Sequence, residues 1–419
     1  MRNSRTRILQ QAPSLPRVPV ASPLARLRAT DDEWAVTAAG VWAATFLCFL
    51  AIGAALPVLP RYVKGPIGAG DLSVGIVVGC FALAAIVGRP LGGRLADARG
   101  RRPVVVIGLL VSAVAGAMYL LPLGVPGLVA ARLVLGVGDG WVFTAGATWV
   151  IDLAPDERRG QAIGLFGLAI WAGLTVGPIA GELLLAALSY EAVWAFCTIT
   201  PALGAVVALR LPEAHVAPPR PAAGAAPLAL IPRPVVEPGL ALLLANVGYG
   251  TMAGFVVLHL ADRGIGGGAT VFVAFAAAVV VTRLALGTLP DRLGPRRTAA
   301  AAGVAETVGL VVLAVAPSFP VAVLGGVVMG AGFSLLFPSL ALIAVARVGP
   351  ERRGAALGAF TAFFDAGVGI GAPLAGAIAA VAGYAAAFWT AAAAAALGVV
   401  MSVTSSGRAA RRAGGDVAG

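Results

Sequence analysis

Three ionisable residues stand inside apolar runs where charge is expensive. Arg132 opens Arg132-x-x-x-Gly136-x-Gly138-Asp139-Gly140, and Asp365 lies in the middle of TAFFDAGVG. A charged side chain at the centre of a bilayer costs roughly 3 kcal/mol on insertion scales, so by default such a residue marks an ion or proton path. Arg132 and Asp139 are seven apart, which places them on one helix face about 10 Å from each other along the axis. That is too far for direct contact and suits an intervening water or substrate, or partners on other helices. Asp365, between aromatic and small residues, is a carboxylate able to take up and release a proton. A further acid, Glu306, lies in a later apolar run and ranks lower. Asn246, Tyr249 and Thr251 share a third run and could line a cavity, with ordinary interhelical hydrogen bonding the alternative. Catalytic patterns are missing: there is no Walker loop, no His-Glu-x-x-His and no Gly-x-Ser-x-Gly. The three cysteines fall in separate runs without metal or redox spacing, so no metal and no cofactor is expected.

The elements that hold these residues are membrane helices. The chain has 419 residues, 59% hydrophobic and only 12% charged, where a soluble domain of this length would carry about a quarter charged. A spanning helix needs about 20 apolar residues, and runs of that order occupy 35–58, 72–94, 103–122, 126–151, 160–186, 191–210, 238–260, 269–289, 298–316, 319–346, 355–381 and 384–403. The expected fold is therefore an all-α membrane protein of twelve transmembrane helices in two six-helix bundles, 34–211 and 237–404. A tail (1–33), a Pro- and Ala-rich linker (212–236) and a second tail (405–419) complete the chain. The net charge of +11 comes from arginines in short loops, which reads as topology and not as a nucleic-acid surface. All of the 30 Lys plus Arg except Arg61, Lys64, Arg132, Arg263 and Arg283 fall on one side of the twelve spans. By the positive-inside rule that side, with both termini, is cytoplasmic. The Ala-, Gly- and Arg-rich composition, with Lys64 the only lysine, suits a high-GC bacterial genome, so the expected location is a bacterial plasma membrane.

The two halves repeat at a constant offset. Arg89, Gly93, Asp97 and Gly100 match Arg283, Gly287, Asp291 and Gly294, each pair 194 apart (291 − 97, for instance). Gly136, Gly138 and Arg158-Arg159-Gly160 match Gly330, Gly332 and Arg352-Arg353-Gly354, and Gly173 and Gly177 match Gly367 and Gly371. Charged and loop residues do not hold one offset across five segments by chance, so the bundles are pseudo-symmetric.

The loop GRPLGGRLADARGRRP (88–103), with Gly93-x-Leu95-Ala96-Asp97-x-x-Gly100-Arg101-Arg102, resembles the signature between the second and third helices of the major facilitator superfamily of transporters, and GTLPDRLGPRR (287–297) resembles it again. In that family the loop latches the halves together, with a charge relay that corresponds here to Asp97, Arg101 and Asp152. In the second half the positions of the last two are Pro295 and Ala346, so both partners are missing together. The arginine usual after the aspartate is Ala98. If the resemblance misleads, these arginines serve only as inside anchors. Arg132 and the following glycines resemble the family's helix-4 motif, linked to proton coupling; the bland alternative is an arginine snorkelling outward. Gly173-x-x-x-Gly177-Pro178-x-x-Gly181 resembles the helix-5 antiporter motif, commoner in exporters, although its last glycine is Glu182; the bland alternative is a packing stripe. The resemblance implies, in the drug:proton antiporter-like branch, a monomeric secondary transporter that exports small lipophilic or amphiphilic compounds against protons by alternating access. A proton symporter importing a sugar, organic acid or other nutrient is the alternative, and a non-transporting sensor or scaffold, which requires a sealed interior, is the alternative of another class.

Overall fold

The computed structural model describes residues 23–213, 232–346, 348–349 and 353–415. The first 22 residues of the expected N-terminal tail and most of the expected linker lie outside the described residues.

In hydrocarbon no water is available to backbone N–H and C=O groups, so the apolar runs must satisfy them internally as helices. The described residues contain α1 (Pro23–Lys64), α2 (Asp71–Arg99), α3 (Arg101–Met118), α4 (Gly124–Leu153), α5 (Arg159–Ala187) and α6 (Tyr190–Leu209) in the first half. The second half has α7 (Arg233–Asp262), α8 (Gly268–Leu286), the short α9 (Leu289–Leu293), α10 (Pro295–Val315), α11 (Phe319–Val345), α12 (Arg353–Ala382) and α13 (Tyr384–Gly415). Twelve of these are long and apolar enough to cross a membrane, and no strand occurs among the described residues. α1 starts at Pro23, inside the stretch read from sequence as a tail, and α13 continues to Gly415. The run expected as one span at 269–289 ends at Leu286, and its last residues turn into α9. α2 gives way to α3 at Gly100 (φ 94°) and α9 to α10 at Gly294 (φ 88°), backbone conformations that glycine adopts without strain. These two glycines occupy equivalent positions in the repeat.

The packing follows the repeat. α1 lies against α5 and α6, α2 and α3 against α4, and α3 against α6. The same pattern recurs with α7 against α12 and α13, α8 and α10 against α11, and α10 against α13. The most extensive contacts between the halves are two seams, α2 with α12 and α5 with α8, and the pseudo-twofold exchanges one for the other.

The α2–α12 seam closes at one end of the molecule. A methyl group at Gly75 or Gly376 would overlap the backbone of Ala372 or Asp71, and one at Gly79 would lie 2.8 Å from Pro373 Cδ. Small residues thus bring α2 and α12 to backbone contact. Tyr384 Oη donates to Asp71 Oδ1 (2.8 Å), and Lys64 Nζ is 2.9 Å from the same carboxylate. The arginine-rich end differs. Methyl groups at Gly160, Gly164 and Gly167 of α5, or at Gly354 and Gly358 of α12, would meet nothing within 4 Å. At helical spacing these glycines continue the faces that carry Trp171 and Asp365, so the halves part at the arginine-rich end.

Candidate functional site

The cluster at the centre of the α2–α12 seam is built on close backbone approach. Methyl groups at Gly88 and Gly140 would lie 3.1 Å from Val137 Cα and from Arg89 N, so α2 and α4 touch where Arg89 leaves its helix. The Arg89 guanidinium crosses the Phe143 ring, with Cζ 4.2 Å from the centroid. It reaches Asp365 on α12, where Nη2 donates to Oδ1 at 3.1 Å and Nε is 2.8 Å from Oδ2. Its Nη2 is also 3.7 Å from Asp139 Oδ2 on α4. Asp139 and Asp365 are 2% and 3% exposed, and Asp139 Oδ1 has no protein partner. Two buried carboxylates therefore share one cation. Fully ionised, the trio carries one uncompensated negative charge, which a buried site disfavours and a proton removes. The trio also ties one half to the other. Asp139 and Asp365 come together as sequence candidates; the arginine between them was read from sequence only as a repeat marker and inside anchor.

Arg132 is elsewhere. Its side chain is fully buried, donates from Nε to Val77 O (3.0 Å) and from Nη2 to Val78 O (2.9 Å), and lies over Phe81 (4.4 Å to the centroid). The outward-snorkelling alternative is therefore excluded. Arg132 clamps α4 to carbonyls of α2, and it forms no ion pair with a carboxylate among the described residues.

Asp97, Arg101 and Asp152 are brought together at the arginine-rich end. Arg101 Nη1 donates to Asp97 Oδ1 (2.8 Å) and Nε to Asp152 Oδ2 (2.9 Å), joining α2, α3 and α4. A residue absent from the sequence candidates completes this corner. Glu213, just past α6, accepts from the backbone N–H groups of Arg101 (2.9 Å) and Arg102 (3.1 Å), and Arg102 Nη1 donates to Leu211 O (3.0 Å). The carboxylate caps the otherwise unsatisfied first turn of α3 and complements its dipole. A methyl group at Gly93 would make only ordinary contact, 3.5 Å from Thr144. Asp291 on α9 is exposed, and no ion pair of its own is found among the described residues.

The helix-5 motif packs. Methyl groups at Gly173, Gly177 and Gly181 would overlap the α1 backbone at Phe49, Leu50 and Ala54. Pro178 lies over Gly53 of the same helix. Gly367 and Gly371 press α12 onto α7 in the same way. Glu182, the departure from the motif, pairs with Arg61 of α1.

Of the polar residues on α7, Asn246 Nδ2 donates to Leu242 O (2.8 Å) and Thr251 Oγ1 to Val247 O (2.9 Å), both within their own helix. Tyr249 instead joins an aromatic group across the second seam. Its ring centroid is 5.3 Å from Phe333, 5.9 Å from Phe275 and 6.3 Å from Trp171, and Trp171 is 5.6 Å from Phe333 edge-on. The repeat gives this group its meaning. Phe333 is the equivalent of Asp139 (333 − 139 = 194) and Trp171 that of Asp365 (365 − 171 = 194). Arg283, the equivalent of Arg89, donates to the Ser334 carbonyl at 2.8 Å. One seam is ionic, and its symmetry mate is aromatic.

Twelve helices long and apolar enough to cross a membrane, in two repeated bundles parted at one end, are the architecture of a membrane transporter. The model of the Major Facilitator Superfamily matches residues 41–289 and 239–415, and the chain belongs to that superfamily. It is 32% identical over 381 residues to an uncharacterized MFS-type transporter of Salmonella typhimurium, covering 89% of this chain and 97% of that one. A similar protein of Burkholderia pseudomallei is 34% identical over 383 residues, covering 89% and 93%. Among solved structures the fold is shared with the nucleoside transporter NupG (TM-score 0.71, 17% identity, 87% of this chain and 97% of that one). It is also shared with the human organic anion transporter MFSD10 (TM-score 0.68, 19% identity, 87% and 98%).

Proposed function

We propose that this transporter exports small lipophilic or amphiphilic compounds in exchange for protons, with its arginine-rich end and both termini in the cytoplasm of a bacterial cell. The observation that carries this reading is the sharing of Arg89 between Asp139 of one half and Asp365 of the other. A proton on either acid removes a charge from the tie between halves, so proton occupancy and the relative tilt of the halves become one linked equilibrium. The Arg89–Asp365 pair is formed while the halves are parted at the arginine-rich end. That suits protons entering from outside, where the acids are neutralised, and leaving to the cytoplasm, where the ion pair re-forms. The compound class follows from the seams: beyond the Arg89 trio, aromatic rings and small apolar residues line the approach of the halves, which favours flat apolar surface over heavily charged cargo. The direction of export rests on the resemblance of the helix-5 glycine motif to that of exporters. The parting at the arginine-rich end argues against a sensor or scaffold with a sealed interior.

The test is flux in proteoliposomes across a compound panel with an imposed pH gradient. Asp139→Asn abolishes gradient-driven flux while the protein stays folded; unchanged flux in this variant overturns the coupling assignment.

A further inference from the structure

A second acid is buried in the C-terminal half, away from both seams. Glu306 on α10 is wholly buried, and neither carboxylate oxygen has a protein partner. It is eleven residues past the start of α10 at Pro295, hence about 16 Å into the helix. Its carboxyl group lies against Gly248 of α7, where a methyl group would come within 3.1 Å of Oε1. No cation faces it. α11 carries no charged residue; on α7, Arg233, Glu237 and Asp262 stand near the helix ends, His259 contacts Leu313 O, and Tyr249 belongs to the aromatic seam. On α10 itself the cations are Arg296 and Arg297, in the first turn, and on the described side chains of α13 the titratable group is Tyr384, at the opposite end. Packing alone does not call for an acid here. The equivalent position of the first half is Ser112 (306 − 112 = 194), whose hydroxyl is satisfied by Gly108 O at 2.9 Å.

The carboxyl group borders a small space. It lines a cavity of about 10 Å³ whose wall includes Gly303, Leu340 and Ser402, the volume of a single water. Leu340 and Ser402 also line a second cavity of about 20 Å³, which is bounded by Glu237 and Arg296 at the arginine-rich face. Leu340 and Ser402 thus stand between a space at that face and a space at the unpartnered buried carboxyl group.

We infer that Glu306 is a proton-binding site, filled from the arginine-rich face through these two spaces, and separate from the Arg89 trio. The carboxyl group is accommodated with its proton on, since nothing around it offers a counter-charge. The proton reaches it from water at the mouth, past Ser402, and leaves by the same route. Ionisation leaves a bare charge between α7, α10 and α11, so the packing of the C-terminal half responds to proton occupancy on that face.

The full chain in lipid bilayers, studied by infrared spectroscopy without substrate, decides this. A protonated-carboxyl band present at neutral pH is lost in Glu306→Gln and kept in Asp139→Asn/Asp365→Asn. Glu306→Asp, which retains the acid, shifts the band and supplies the same assignment if the glutamine variant does not fold. Ser402→Leu plugs the junction of the two cavities and slows deuterium exchange of the band at least tenfold. A band unchanged in both Glu306 variants, or exchange at the parent rate in Ser402→Leu, overturns the inference. Neither readout depends on flux, so failure here leaves the export reading standing, and the reverse also holds.

Discussion

The two seams between the halves are related by the internal repeat, yet they are made of different chemistry. Where α2 and α4 meet α12, Arg89 bridges Asp139 and Asp365; where α8 and α11 meet α5, the equivalent positions are Arg283, Phe333 and Trp171. One scaffold is present twice, and at two equivalent positions one seam carries carboxylates and the other aromatic rings; in the proposed mechanism the first holds protons and the second is an apolar hinge. An aromatic contact of this kind is worth about 0.5–1.5 kcal/mol beyond burial and is indifferent to pH. An ion pair in a membrane changes its energy with every proton gained or lost. Under the proposed exchange, a molecule that rocks on one pH-sensitive seam and one insensitive seam has its tilt biased from one side only.

The largest expected effect comes from removing the shared cation. Arg89→Met strands two buried carboxylates, and loss of one partner of a buried pair costs on the order of 3–5 kcal/mol. Thermal unfolding in detergent should show that loss at neutral pH and its partial recovery at acid pH, where the carboxylates are neutral. The triple variant Arg89→Met/Asp139→Asn/Asp365→Asn should regain stability while lacking proton-driven flux. The mirror change, Trp171→Phe, should leave the pH dependence of flux unaltered; a changed pH dependence would show that the aromatic seam is not indifferent.

Next in size is the closed end of the ionic seam. Gly75→Val pushes against the Ala372 carbonyl, and overpacking of this kind costs about 1–3 kcal/mol. Labelling of α2 and α12 from the side opposite the arginines should become faster. Smaller again is the relay at the arginine-rich end. Arg101 is bonded to Asp97 and Asp152, whose side chains are 67% and 35% exposed, so each pair contributes within about 1 kcal/mol. Asp97→Asn should slow turnover a few-fold without loss of substrate binding, measured as equilibrium binding alongside flux. Building the missing relay into the second half, Pro295→Arg with Ala346→Asp, should change stability by less still.

Much of this was legible in the sequence, and the remainder was hidden for identifiable reasons. Spans announce themselves because lipid demands long apolar runs. The Asp97, Arg101 and Asp152 group was readable through the resemblance of its loop to that of the family, and the joint absence of the last two from the second half agreed with a paired role. Arg89 was not. A cation near the end of a spanning helix satisfies the positive-inside bias whether or not it has a second task, and its partner on α12 lies 276 positions away. The partners of Arg132 are the carbonyls of Val77 and Val78, and backbone acceptors leave no trace in side-chain pattern. Glu213 looked like an ordinary linker residue because helix capping from a distant segment has no spacing rule. Asn246 and Thr251 match the polarity of cavity residues, yet each donates to a carbonyl of its own helix, so polarity in a spanning run does not by itself separate a cavity from a helix-internal bond.

The distance between the glycine-lined ends of α5 and α12 tests the central idea most directly. Spin labels at Gly164→Cys and Gly358→Cys meet no neighbouring atoms, and the buried Cys48, Cys80 and Cys197 can be replaced beforehand. If protons act through the ionic seam, acidification shifts the label-to-label distance toward a closed arginine-rich end, and the Asp139→Asn/Asp365→Asn variant holds one distribution at every pH. A distribution in that variant that still moves with pH as the parent does would contradict it.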